Sequence, residues 1–181
     1  DGAAGYYNIQ PDIITYGKII GGGLPVGAYG SSNEIMSKVS PDGDVYQAGT
    51  LSGNPVAMAA GIAQLTECLK DGFYEELARK TSRFAGVVNG HAQKNGYEVW
   101  MFFIGSIFWL AFTRRDNIQK ASEIDPAGME KFKLLHSGLL DRGVYLGPSG
   151  YEVGFVSQAH SGDDLKAASD AICSTMDSFL G

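Results

Sequence analysis

The chain has 181 residues, with 14 Lys+Arg against 20 Asp+Glu and a formal net charge of -6. That length holds one domain or parts of two, and 44% hydrophobic with 19% charged residues is ordinary for a globular chain. A nucleic-acid partner requires a basic patch, and no Lys/Arg cluster stands out, so that class is excluded.

Residues 1–5 (Asp-Gly-Ala-Ala-Gly) lack the charged and apolar regions of a leader. Residues 6–54 read as short strands and loops, with glycines concentrated between Gly17 and Gly53. Such a segment suits close backbone approach to a ligand, or a run of ordinary turns. Asn54 as N-cap and Pro55 at the first position open a helix over residues 55–69, on which Met58, Ile62, Leu65 and Leu69 recur at helical spacing. A second helix covers residues 73–94, with Leu77, Thr81, Phe84, Val88 and His91 on one face and Asn95-Gly96 as its stop. Residues 97–103 and 107–112 read as paired strands. The apolar stretch they occupy is too short for a membrane span, which needs about 20 residues, and Gly105-Ser106 interrupts it. A cytoplasmic protein with no membrane partner is expected.

Asp125-Pro126 opens a helix that turns Met129, Phe132, Leu135 and Leu139 inward and ends at Arg142-Gly143. Residues 144–146 and 153–156 read as short strands. Ser161 and Asp164 form a capping box before a last helix that packs Leu165, Ala168, Ile172, Met176 and Phe179. The second half is therefore an α/β unit with helices on a mostly antiparallel sheet. Residues 1–69 carry too little apolar surface for a core and read as the end of a larger domain, with residues 70–181 as a small domain.

Among polar residues, His91 reads as a boundary histidine, His136 as facing solvent and His160 as structural. Cys68 and Cys173 read as free thiols. No grouping has metal-ligand spacing. Phe102, Phe103, Phe108 and Trp109 read as core, and Arg114-Arg115 as a solvated turn.

Chemistry concentrates in three stretches. TYGKIIGGGLPVGAYG (residues 15–30) sets Lys18 between an apolar run and a triple glycine. A lone lysine is ordinarily a surface charge, but the flanks Gly17 and Ile19-Ile20 argue for burial, which makes an amine a nucleophile towards carbonyls. A phosphate loop is excluded, because its glycines precede the lysine and a Ser or Thr follows it. YQAGTLSGNP (residues 46–55) offers hydroxyls and amides at a helix start, suited to an anion or to simple capping by Asn54. GVYLGPSGYEVGF (residues 143–155) carries Glu152, a pocket acid or a strand-end charge, and no arginine follows Arg142.

Together these stretches resemble class III aminotransferases, pyridoxal-phosphate enzymes of fold type I, and within them the glutamate-1-semialdehyde aminomutase subfamily. The resemblance implies that Lys18 is the Schiff-base lysine. It also implies that Gly49-Thr50 meets the cofactor phosphate of a partner subunit in a homodimer, and that Tyr46 and Glu152 lie in the active site. It implies pyridoxal phosphate, with a pyridoxamine form in the cycle, and an amino aldehyde substrate whose amine moves within one skeleton. Related transaminases carry an arginine near the third stretch for a carboxylate; this chain has none there. The resemblance covers the second half of the family's length. One hydrogen bond from Thr50 is worth roughly 1.5–3 kcal/mol, against about 4 kcal/mol for millimolar binding, so the 181 residues alone are expected to be inactive. Two other readings remain open at this point. One is an ω-amino-acid or ornithine-type transaminase; the other is a non-catalytic C-terminal fragment.

Overall fold

In the computed structural model, which describes residues 2–181, chain packing divides after Asp71. The first unit is made of short pieces: α1 (Gly2–Tyr6), β1 (Ile13–Tyr16), a 3₁₀ turn (Lys18–Gly21), β2 (Ala28–Ser31), α2 (Asn33–Met36) and α3 (Pro55–Cys68). β1 and β2 pair antiparallel, Ile13 opposite Ser31 and Tyr16 opposite Ala28. The lysine turn and triple glycine are thus the connection of a two-stranded ribbon.

The Asn54 side chain caps α3 as the sequence indicates, accepting from the amides of Val56 (3.0 Å) and Ala57 (3.2 Å). The buried face of α3 is not the expected one. Met58, Ile62, Leu65 and Leu69 are exposed, Leu69 at 84%, while Ala57, Gly61 and Cys68 are buried. The small residues win because the helix backbone meets the 3₁₀ turn directly. A β-carbon on Gly61 would collide with the Ile20 carbonyl oxygen, and one on Gly22 with that of Ala60. Among the described residues of this unit, only Gly21, Ala57, Gly61 and Cys68 are buried.

The second unit spans Gly72–Gly181. It contains α4 (Phe73–Asn95), β3 (Trp100–Ile104), β4 (Ile107–Ala111), a 3₁₀ turn (Ala121–Glu123), α5 (Gly128–Leu140), β5 (Gly154–Phe155) and α6 (Gly162–Leu180). The sheet is antiparallel in the order β3-β4-β5, with Met101 opposite Leu110 and Phe108 opposite Gly154. The helices pack on it as the α/β reading expects. Val88 from α4, Met101 from β3, Leu135 and Leu139 from α5, and Ile172 and Met176 from α6 are all sealed from solvent. Burial of each such side chain contributes roughly 1.5–3 kcal/mol.

β3 is an edge strand, and at Met101 its free side is met by a helix rather than left open. Buried Asn89 of α4 donates to the Met101 carbonyl (3.0 Å) and accepts from the Met101 amide (2.7 Å). One side chain thereby takes the place of a neighbouring strand. Gly96 ends α4 with φ 72°, and the Ser161–Asp164 box caps α6: Asp164 N donates to Ser161 Oγ (3.1 Å), and Ser161 N to Asp164 Oδ2 (2.8 Å).

Three readings of this unit need correction. Residues 144–146 are not a strand, because the Val144 amide is spent on the Leu139 carbonyl (2.9 Å) as α5 closes through Gly143 at φ 74°. His136 does not face solvent: its Nε2 is buried without a hydrogen-bond partner and its ring lies against Phe132 and Tyr145. Of the aromatic group read as core, Phe108 is buried, whereas Phe103 is half exposed and Phe102 stacks on Trp109 across the other face of the sheet.

Candidate active site

Lys18 heads the 3₁₀ turn and is exposed, with Ile19 57% exposed beside it. The burial read from its apolar flanks is therefore corrected: the short turn tucks in Gly21 and, in part, Ile20 instead. The distinguishing feature of Lys18 is its backbone. Its φ of 54° is left-handed, a region that non-glycine residues other than Asn, Asp and His seldom enter. Such strain clusters at functional positions, where the surroundings enforce it.

Lys18 lines an open hollow of about 650 Å³ with Ile19, Gly22, Gly23, Leu24, Pro25 and Gln64. That volume lies in the range of small-molecule sites. Gln64 escaped the sequence reading, although an amide among the apolar residues of α3 was its signal. The Gln64 side chain donates to Cys68 Sγ (3.4 Å).

A second hollow, of about 480 Å³, shares Pro25 with the first and is lined by Gly27, Tyr29, Gln47, Gly49, Ser52 and Met58, among others. Its loop is held by Ser52 N donating to Gly49 O (2.9 Å) and Asn54 N to Leu51 O (3.1 Å). Tyr46, 82% exposed, and Thr50 stand free on this loop and line neither hollow. Because Asn54 occupies the Val56 and Ala57 amides, an anion here would rely on the Thr50 hydroxyl and loop amides. No arginine lies in residues 1–71, so charge pairing by a guanidinium is not on offer from this unit.

In the second unit, Glu152 is exposed and folds back across its own loop. Its carboxylate lies against Gly147, where any β-carbon would collide with it. Gly150 packs on Met129 and Phe132, and Gly154 on the Phe108 ring. Trp109 Nε1 donates to the Gly150 carbonyl (2.7 Å), and Glu152 N donates to Ser149 O (3.0 Å). The loop is thus pinned at each glycine, and Trp109 is a second residue that the sequence reading placed only in the core.

His91 and Tyr97 converge on Asp177 Oδ1, at 2.8 and 2.9 Å. These hydrogen bonds, that of His91 first, hold the Asp177 carboxyl below the usual range, while the Asp177 bond pushes the Tyr97 hydroxyl up. The boundary role given to His91 fits. His160 Nδ1 accepts from the Ser157 amide (2.9 Å), a structural bond.

The sequence matches the family described as Aminotransferase class-III over residues 2–157. The chain belongs to that family. An omega-transaminase from Sphaerobacter thermophilus is 26% identical over 99% of this class-III chain, with a TM-score of 0.85. A beta-phenylalanine aminotransferase from Variovorax paradoxus is 26% identical over 98% of it, with a TM-score of 0.87. A glutamate-1-semialdehyde-aminomutase from Pseudomonas aeruginosa PAO1, in complex with PMP, is 23% identical over 97%, with a TM-score of 0.78, a likeness of fold alone. The chain spans about 41% of the length of each of these structures. Among the described residues of the class-III chain, no helix is long and apolar enough to cross a membrane, and no group of three His, Cys, Asp or Glu side chains could hold a metal ion.

Proposed function

We propose that this chain carries the lysine-bearing part of a pyridoxal-phosphate aminomutase that converts (S)-4-amino-5-oxopentanoate to 5-aminolevulinate. Membership of the class-III family supports amino-group transfer. The observation that carries the finer reading is the loop over residues 147–152. It presents the Glu152 carboxylate, and no Lys or Arg lies between Arg142 and Lys166. A transaminase that exchanges a dicarboxylate partner needs a cation for the second carboxylate. A carboxylate in that place repels such a partner and suits a substrate bearing an amine.

The residues present fit the cofactor. Lys18 supplies a primary amine at the rim of a hollow of about 650 Å³, and Gly23 leaves space on its own side. When bound, pyridoxal phosphate supplies the carbonyl that takes an amine and the ring that draws electrons from the reacting carbon. Lys18 Nζ would hold the cofactor and would move protons on and off the substrate carbons as general base and acid. Thr50 Oγ1 and the Gly49 amide would hold the phosphate, in the neighbouring subunit of a homodimer. By the same resemblance Tyr46 and Glu152 would each serve the substrate, Glu152 by orienting the amine. Residues 1–69 form the end of the large cofactor-binding domain and residues 70–181 the small domain.

A second reading has its own support. The omega-transaminase and the beta-phenylalanine aminotransferase exceed the aminomutase in both identity and TM-score. The two readings separate in one assay of the complete enzyme: (S)-4-amino-5-oxopentanoate is supplied with no keto acid, and 5-aminolevulinate is measured. The aminomutase gives catalytic turnover under that condition. Turnover that depends on added 2-oxoglutarate or pyruvate rejects it for the transaminase.

A further inference from the structure

We propose that Gly61, a residue with no side chain to offer, is a positioning residue for Lys18. The proposal rests on the reading of Lys18 as the cofactor lysine. Lys18 holds a left-handed backbone, φ 54°, and such a conformation persists only where its surroundings over-determine it. The turn closes on itself through Ile20 N to Gly17 O (3.4 Å), Gly22 N to Ile19 O (3.1 Å) and Leu24 N to Gly21 O (3.0 Å). Those bonds shape the turn, but they do not set it against anything.

The setting comes from α3. The Ile20 carbonyl oxygen lies against the Gly61 Cα, so that a β-carbon there would fall inside contact distance. One step along, the Gly22 Cα lies against the Ala60 carbonyl in the same way. Two backbone contacts, made in opposite senses at adjacent helix positions, lock the turn in translation and rotation. Gly61 is buried, and it sits in a helix interior, where glycine is disfavoured against alanine. The α4 glycines Gly86 and Gly90 have open space around them, so a helical glycine here does not in itself imply close approach. At Gly61 the missing side chain is occupied by the lysine turn. Lys18 sits two residues before the carbonyl that is held, so α3 fixes the backbone from which Nζ reaches into the hollow. Misplacement of a reacting group by about 1 Å can cost up to 10²-fold in rate.

The test uses the complete enzyme, Gly61→Ala, and Gly86→Ala as a control. Each protein is incubated with pyridoxal phosphate and treated with borohydride. The Lys18 amine displaces the aldehyde oxygen as water, and the borohydride hydride reduces the resulting carbon–nitrogen double bond. Peptide mass spectrometry then gives the rate of labelling at Lys18. Gly61→Ala is expected to slow labelling by roughly 10-fold or more, with Gly86→Ala unchanged. A second readout needs no cofactor. Lys18→Gly should melt about 1–2 °C above Lys18→Ala, and the Gly61→Ala background should erase that gap. Wild-type labelling with the gap retained in Gly61→Ala overturns the proposal and leaves the Lys18 reading intact. A wild-type protein unlabelled at Lys18 sinks both. Should Gly61→Ala fail to fold, Gly22→Ala probes the same contact from the turn, with left-handed strain of its own at φ 57°, and its slowing counts for the contact only where it exceeds that of Gly23→Ala, which is left-handed at φ 92° in open space. Normal labelling of a folded Gly22→Ala, or failure of both variants to fold, assigns the contact to stability alone and overturns the positioning role.

Discussion

The two units of this chain divide labour in opposite ways. The second unit holds the hydrophobic cluster, sealed by residues from α4, β3, α5 and α6. The first holds the strained lysine, the glycine-rich ribbon and the Gly49-Thr50 loop, yet it buries only Gly21, Ala57, Gly61 and Cys68 among its described residues. Within these 181 residues, the core and the proposed reactive lysine are therefore built from different materials. One unit is fixed by side chains meeting side chains, the other by backbone meeting backbone at glycines. Side-chain packing tolerates small adjustments of shape, whereas backbone contact at a glycine tolerates no added atom at all.

The sharpest way to break this contrast is to remove the reactive group. In the complete enzyme, Lys18→Ala should lower turnover by about 10²–10⁴-fold while leaving guanidinium unfolding of the second unit unchanged. A variant with ordinary turnover ends the assignment. Next come the cores. Leu139→Ala, at a position with no exposure, should cost about 2–5 kcal/mol by chemical denaturation. Leu69→Ala, at the exposed C-cap of α3, should stay within about 0.5 kcal/mol. Equal costs would show that the α3 stripe is as well covered as the α5 one.

Much of this architecture is legible in the sequence where a local signal coincides with a local cause. Asn54-Pro55, Asn95-Gly96 and the Ser161–Asp164 box each name a helix end, because capping is a matter of neighbours. The buried face of α3 is not legible in that way. Met58, Ile62 and Leu65 make the better apolar stripe, and only the approach of a distant turn reveals why Gly61 faces inward. Residues 144–146 have the composition of a strand, but a helix closure has already consumed the Val144 amide. At the candidate site the sequence singles out Lys18 by its glycine-rich surroundings, and the structure adds its left-handed backbone. Within these 181 residues the flanking isoleucines leave Lys18 exposed, because apolar neighbours along the chain do not ensure apolar neighbours in space.

Smaller effects sharpen the same comparison within the second unit. Asn89→Ala leaves the Met101 amide and carbonyl without partners and should cost about 2 kcal/mol, read by denaturant midpoint. Ser161→Ala removes the α6 cap for about 1 kcal/mol, visible as a lower melting temperature. The smallest effect is with pH. Hydrogen bonds from His91 and Tyr97 depress the Asp177 carboxyl, so its contribution is fully present above the unfolded carboxylate value. It fades as pH falls through the lower folded value, beneath about pH 4. Asp177→Asn should flatten the acid limb of the melting curve over that window; an unchanged limb would dismiss the contribution.

The hydrogen bond from Trp109 to Gly150 has a practical consequence. The chain has two tryptophans, and Trp109 grips the very loop that bears Glu152. In a Trp100→Phe variant of these 181 residues the one indole left becomes an optical sensor for that loop, its emission responding whenever the Gly150 carbonyl leaves its nitrogen. Loosening of that loop by denaturant or pH could then be followed by colour shift in a cuvette, apart from the unfolding of the core.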